Sequence, residues 1–444
     1  MVVNRIAAIA QASLGALLLL VSVAVLATPK IEHWTLKNGA RVYFVEARNL
    51  PMVTLNVVFD AGSARDPQAR NGLAMLTNGL LNEGTGDLDA DAIAATFEGL
   101  GAEFGSSNDR DMAGANLKSL TDRKLLDPAL DLFARLLVAP SFPQPSLERE
   151  RQRALLSLKQ AQASPSDVVA KAFFARLYTG HPYAAAPEGN ESGLKAITRD
   201  DLLAFHTRHY VGSNAVFALI GDISLKDAKA IAERVLGRLP AGTAPPVLAK
   251  VAAGAPRRVA DAVVAHPSSQ THLMIGEVGM ARSDPDFYPL YLGNFILGGS
   301  GLISRLAQEV REKRGLSYSV SSYFIPLREP GPFLLSLQTK NSQSREALAV
   351  VRQVLSEFAE KGPTVEELIA AKKNVTGGFP LRIDSNRKIV DYLTVIGFYD
   401  LPLTYIDDFI PRIEAVSAEQ IRDAFRRRVH PERMLTVIVG GGGG

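Results

Sequence analysis

Laid over itself at an offset of 219 residues, the chain matches a capped helix with a capped helix and a glycine-ended strand with a glycine-ended strand. Ile197–Gly221 falls on Val416–Gly440, with Thr198 on Ser417, Asp200 on Glu419 and Leu202 on Ile421. Val216-Phe-Ala-Leu-Ile-Gly221 then falls on Leu435-Thr-Val-Ile-Val-Gly440. A nearby offset, 217, places Ala64-Arg65 on Ala281-Arg282 and Leu73 on Leu290. Few residues are identical, so what is shared is the pattern of caps and apolar positions. A pattern repeated over such a distance predicts two copies of one α+β unit.

The elements between these anchors fit that reading. Arg41–Val45 and Val53–Phe59 are rich in β-branched and aromatic residues and bounded by Asn38-Gly39, Leu50-Pro51 and Ala61-Gly62, which marks strands. Asp89–Leu100, Leu125–Val138, Ser146–Gln162, Asp167–Leu177, Thr198–His209 and Leu225–Leu239 carry apolar residues at three- and four-residue spacing, the mark of amphipathic helices. Pro240–Pro246 and Ala252–Pro256 have loop composition. The predicted organisation is an N-terminal unit over 31–240, a linker over 241–256 and a C-terminal unit over 257–440.

Residues 1–27 stand apart. One arginine precedes a continuous apolar stretch, Leu14–Ala27, that closes on Val25-Leu26-Ala27 before Thr28-Pro29. That stretch is short for a membrane span and suits a secretory signal cut near Ala27; counted from Ile6, it would serve as an uncleaved anchor. Either form implies an exported body, and a bacterial periplasm is the expected compartment. With no cysteine in 444 residues, thiol nucleophiles, thiolate metal sites and disulfides are excluded. A net charge of +3, spread along the chain, gives no phosphate-binding patch, so nucleic acid is not an expected partner.

Familiar catalytic motifs are missing: there is no Gly-x-Ser-x-Gly elbow, phosphate loop or Gly-x-Gly-x-x-Gly turn. His206 and His209 sit at metal-chelating spacing, but Arg208 lies between them and no carboxylate follows closely. At a helix C-terminus such histidines are expected to complete the macrodipole instead. His181-Pro182-Tyr183, in a Gly/Pro loop, is expected to be structural.

One longer stretch is more telling. Ala61-Gly62-Ser63 is followed by Gly72-Leu-Ala-Met-Leu-Thr-Asn-Gly-Leu-Leu-Asn-Glu-Gly-Thr85. It resembles the pitrilysin and mitochondrial-processing-peptidase family of zinc metallopeptidases, the inverzincins, whose helix reads Gly-Leu-Ala-His-x-x-Glu-His-x-x-x-x-Gly-Thr. The resemblance runs over nearly all of the chain after the leader. It implies an α+β fold of two homologous α/β sandwich domains. It also implies a degenerate zinc site: Met75 and Gly79 stand where the family has its zinc histidines, Asn78 where it has the water-activating glutamate, and Ser157 where a third ligand is expected. A thioether, a hydrogen and a hydroxyl cannot replace two imidazoles and a carboxylate around tetrahedral zinc, and an amide cannot take a proton. No zinc or other cofactor is therefore expected in this chain.

The second half keeps more of the family's pattern. Leu297-Gly-Gly-Ser-Gly-Leu-Ile-Ser-Arg-Leu306 and Val310–Val320 resemble its C-terminal half, including Arg311 and Tyr318. The resemblance implies that this pair reaches a zinc site in another domain or subunit and holds substrate there. By residue type alone, Arg311 could cap a helix end and Tyr318 could pack in a sheet. Phe104–Asp109 resembles the edge strand on which a peptide can add. The expectation is a non-catalytic subunit that pairs with a homologous zinc-bearing chain carrying an intact His-x-x-Glu-His, the pair cleaving peptides or unfolded polypeptides. The competing expectation is an inert exported scaffold or peptide-binding protein, membrane-bound only if the leader is uncleaved.

Overall fold

The computed structural model describes residues 30–251 and 261–441. The apolar leader, part of the linker and the last three glycines lie outside the described residues.

The first half contributes β1 (Glu32–Thr35), β2 (Arg41–Glu46), β3 (Met52–Phe59), the two-residue strands β4 (Gly84–Thr85) and β5 (Leu88–Asp89), β6 (Glu103–Asn108), β7 (Ala113–Leu120) and β8 (Ala215–Gly221). The second contributes β9 (Ala262–Ala265), β10 (Gln270–Val278), β11 (Ser319–Phe324), β12 (Pro332–Lys340) and β13 (Leu435–Gly440). Two sheets result, in the orders β1-β2-β8-β3-β7-β6 and β11-β12-β10-β13-β9. In each, the strand that ends the repeat pairs parallel on one side and antiparallel on the other. The register repeats as well. Tyr43 faces Ala218 in the first sheet and Ala262 faces Val437 in the second, both partners moved by the same 219 residues. The repeat seen in the sequence is thus a repeat of hydrogen-bonded geometry.

Helices form where spacing and caps place them. Asp89, Ser164, Thr198, Ser224, Thr364 and Ser417 each accept a backbone N–H of their own first turn, satisfying donors that a helix start leaves free. The helix expected to run to Leu239 stops at Leu236, where Gly237 follows.

What covers each sheet is less local. β3 and β8 are buried along nearly their whole length, so both faces of the first sheet need a cover. One face takes helices of its own half. The other takes the helix Asn386–Phe398, so that Tyr43, Val58 and Val216 share one core with Ile389, Leu393 and Ile396. Reciprocally, the helix Pro165–Leu177 of the first half packs Val169 and Phe173 against Met274, Leu334 and Val437 of the second sheet. Glycine permits each approach. A Cβ on Gly397 would lie 2.5 Å from Tyr43 and Val216, and one on Gly276 would lie 2.9 Å from the Phe173 ring.

A buried carboxylate joins the halves. Asp111, between β6 and β7, accepts from the Tyr183 hydroxyl at 2.6 Å, the Tyr399 hydroxyl at 3.0 Å and the Arg328 backbone N–H at 2.7 Å. Tyr183 is therefore a structural post, in line with its loop setting.

Candidate functional site

The helix Leu73–Gly79 begins on a residue only glycine tolerates well. Gly72 has φ of +103°, and a Cβ there would lie 2.6 Å from Leu194. The Asp66 carboxylate then accepts the N–H groups of Gly72 and Ala74, each at 2.7 Å, and so caps the start. Burial pushes this carboxyl up to about 7.

Met75 and Gly79 lie one turn apart on the same face. Met75 is half-buried against the first-half core, and a Cβ on Gly79 would meet no atom within 4 Å. The backbone therefore offers two ligand positions and the side chains supply no imidazole. Ser157, on the helix Gln144–Ala161, is exposed. Among the described residues there is no group of three or more His, Cys, Asp or Glu side chains able to hold a metal ion. The donor set does not fit zinc, and no step through a metal is derived for this chain.

Asn78 has other work. It is almost wholly buried, its Nδ2 donates to the Ser107 carbonyl on β6 at 2.8 Å, and its Oδ1 accepts from the Tyr210 hydroxyl at 3.0 Å. Burial holds that phenol far above its ordinary pKa, so it remains a donor. The second half repeats this bond at nearly the same offset. Asn294 Nδ2 donates to the Ser322 carbonyl on β11 at 3.1 Å, and Asn294 Oδ1 accepts from the Ser322 hydroxyl at 2.7 Å. In both halves an asparagine at the site helix ties down an edge strand. Neither Tyr210 nor Ser107 was marked by the sequence as a partner of Asn78, because both contacts are long-range.

His206 and His209 do not complete a macrodipole as charges. His206 donates from Nε2 to the Leu137 carbonyl at 2.9 Å, and burial pushes both imidazoles down to about 4. They are neutral packing groups, and burial overrides the helix-end position.

Arg311 and Tyr318 are brought together. Arg311 lies in the last turn of the π-helical segment Ala307–Glu312, and its Cζ lies 5.6 Å from the centroid of the Tyr318 ring. Tyr318, just before β11, is 86% exposed, which rules out its packing in a sheet. Among the described residues Arg311 otherwise forms an ion pair only with Glu312, at 3.5 Å. A second π-helical segment, Phe295–Gly299, fixes the neighbourhood: a Cβ on Gly298 would lie 2.4 Å from Ser322 Oγ, so glycine lets this turn sit on the edge strand. Among the described residues no hydrogen bond or ion pair links Arg311 or Tyr318 to Met75, Asn78, Gly79 or Ser157. The pair stands at the edge of the second sheet, and the altered helix packs on the first.

Comparison with known proteins finds two family models in succession along the chain. Residues 41–189 match the family model described as insulinase (peptidase family M16), and residues 196–375 match the one described as peptidase M16 inactive domain. A Helicobacter pylori protein described as non-peptidase homolog YmxG is 27% identical, over 90% of this chain and 92% of its own. A Bacillus subtilis protein described as uncharacterized zinc protease YmxG is 24% identical, over 92% and 98%. A crystal structure described as peptidase M16 inactive domain from Pseudomonas fluorescens superposes with a TM-score of 0.89 at 41% identity, covering 93% of this chain and 98% of that one. With both halves matched in chain order and that relative covered almost end to end, the chain belongs to the M16 peptidase family, the inverzincin family whose motif frame it keeps.

Proposed function

We propose that this chain is a catalytically inactive family member acting as the substrate-holding subunit of a two-chain zinc metalloendopeptidase. The partner is a homologous chain with an intact His-x-x-Glu-His, which supplies the zinc and the general base. This chain supplies Arg311 and Tyr318, and is exported to the periplasm by a leader cut near Ala27. The substrates are peptides or unfolded polypeptides able to enter a chamber between the chains.

The observation that carries the proposal is a contrast between two sites. Asn78, at the position of the catalytic glutamate, is spent on the scaffold, whereas Arg311 and Tyr318 touch each other at the surface with little else to bind. A guanidinium offers donors in a fixed fork, and a phenol can donate to a carbonyl oxygen as it gains charge. A cation–π contact at an exposed site is worth about 0.5–1 kcal/mol, enough to align the pair but weak enough to yield to substrate.

The test is peptide cleavage by the partner, by this chain and by the mixture. Activity is expected in the mixture alone. Arg311→Ala and Tyr318→Ala should each lower kcat/KM by roughly 100-fold, the cost typical of a lost transition-state donor, while gel filtration still shows the complex. A partner fully active alone, or variants as active as wild type, would defeat the proposal. A stable complex with unchanged activity would favour the scaffold instead.

A further inference from the structure

The turn between β6 and β7 carries a second arginine inward. Arg110 is half-buried, with its Cζ 3.8 Å from the centroid of the Phe174 ring and its Nε donating to the Tyr183 carbonyl at 3.2 Å. Glu188 and Asp109 act on it only through space, and no carboxylate among the described residues hydrogen-bonds to it. Burial pulls its pKa down, against the opposing pull of Glu188 and Asp109. A charge partly withdrawn from water gains when a partner of opposite sign meets it. A guanidinium held flat on an aromatic face, with donors to spare, is preorganised for a planar two-oxygen acceptor.

Those donors border a cavity of about 430 Å³ between the helices Gln144–Ala161 and Pro165–Leu177. This lies within the range of small-ligand pockets, roughly 300–1,000 Å³. Leu158, Ala161 and Val168 give it apolar walls, and Lys171 adds a second cation. Asp167 and Glu188 balance the two cations, which disfavours polyanions such as phosphate esters. Gln162, Asp167 and Lys171 are exposed and can pair with amide groups that a plain fatty acid lacks.

We propose that this cavity captures the C-terminal carboxylate of a peptide ending in an apolar residue, with the Arg110 fork as its anchor. The site uses neither Arg311 nor Tyr318 and does not depend on a partner chain, so it stands or falls apart from the two-chain reading.

Calorimetric titration of the full chain alone tests it with three probes: acetyl-alanyl-leucine as the free acid, the same dipeptide as the C-terminal amide, and octanoate. The acid should bind at least 20-fold more tightly than the amide and more tightly than octanoate, and Arg110→Gln should abolish its binding. Because Arg110 packs on the Phe174 ring, Lys171→Glu, at an exposed position of the wall, provides a variant with no packing to lose. It should weaken the acid at least fivefold and the amide by less, because only the acid loses an attraction between opposite charges. Equal binding of acid and amide, no binding of the acid, tighter binding of octanoate, or wild-type affinity in Lys171→Glu would each overturn the proposal.

Discussion

At the scale of the residue, the most informative position is Asn78. An amide has one donor end and one acceptor end, and here both are taken, by the Ser107 carbonyl and the Tyr210 hydroxyl. A carboxylate could accept from Tyr210 but would face the Ser107 oxygen without a proton to offer. The position is therefore committed to structure, as Asn294 is in the other half. Asn78→Ala should leave the buried Tyr210 hydroxyl without a partner and cost about 1–3 kcal/mol, read as a lowered denaturant midpoint. Gly79→Ala, where a Cβ meets open space, is the control that should leave the midpoint nearly unchanged. The family resemblance singled out Met75, Asn78, Gly79 and Ser157, and residue type then showed that these side chains lack the donor chemistry of a zinc site. What replaced that chemistry at Asn78 was hidden, because it depends on residues 29 and 132 positions away.

At the scale of the element, ends matter more than middles. The helix Arg199–His209 is tied through His206 to the last turn of Arg123–Val138, where a carbonyl would otherwise lack a partner. That imidazole titrates near 4 when folded and near 6.5 when unfolded, so below about pH 6.5 the unfolded chain binds the proton first. Stability is thus complete above pH 6.5 and lost as pH falls toward 4, by about 3 kcal/mol for this one group. Thermal unfolding of wild type and of His206→Gln, which keeps an N–H donor, compared from pH 7 to pH 4, should show the wild type losing more stability, with the opposite change at Asp66 and the parallel one at His209 common to both. The sequence located this helix and its Thr198 cap correctly because both signals are local. It misjudged the histidines because position along a helix says nothing about what lies on top of it. The strands β2, β3, β8 and β13 were legible for the same local reason, whereas register depends on residues far apart in the chain and was not.

At the scale of the whole molecule, the two halves are joined by more than the linker. The helix Asn386–Phe398 roofs the first sheet, Pro165–Leu177 roofs the second, and Asp111 gathers donors from both. Apolar periodicity shows that a helix has a face to bury, but not which sheet receives it, so this exchange could not be read in advance. Proteolytic nicking between residues 241 and 256 is expected to leave both fragments co-eluting on gel filtration without denaturant and unfolding in one transition. Fragments that separate, or melt in two steps, would mean that the exchanged helices contribute little. The exchange also bears on inheritance. Gly397 has no room for a side chain because Tyr43 and Val216 of the other copy fill it, so a bulkier residue at one position requires a smaller one at another. After the duplication that produced them, the two copies were free to diverge in chemistry but not in shape, and each now constrains the other's tolerable mutations.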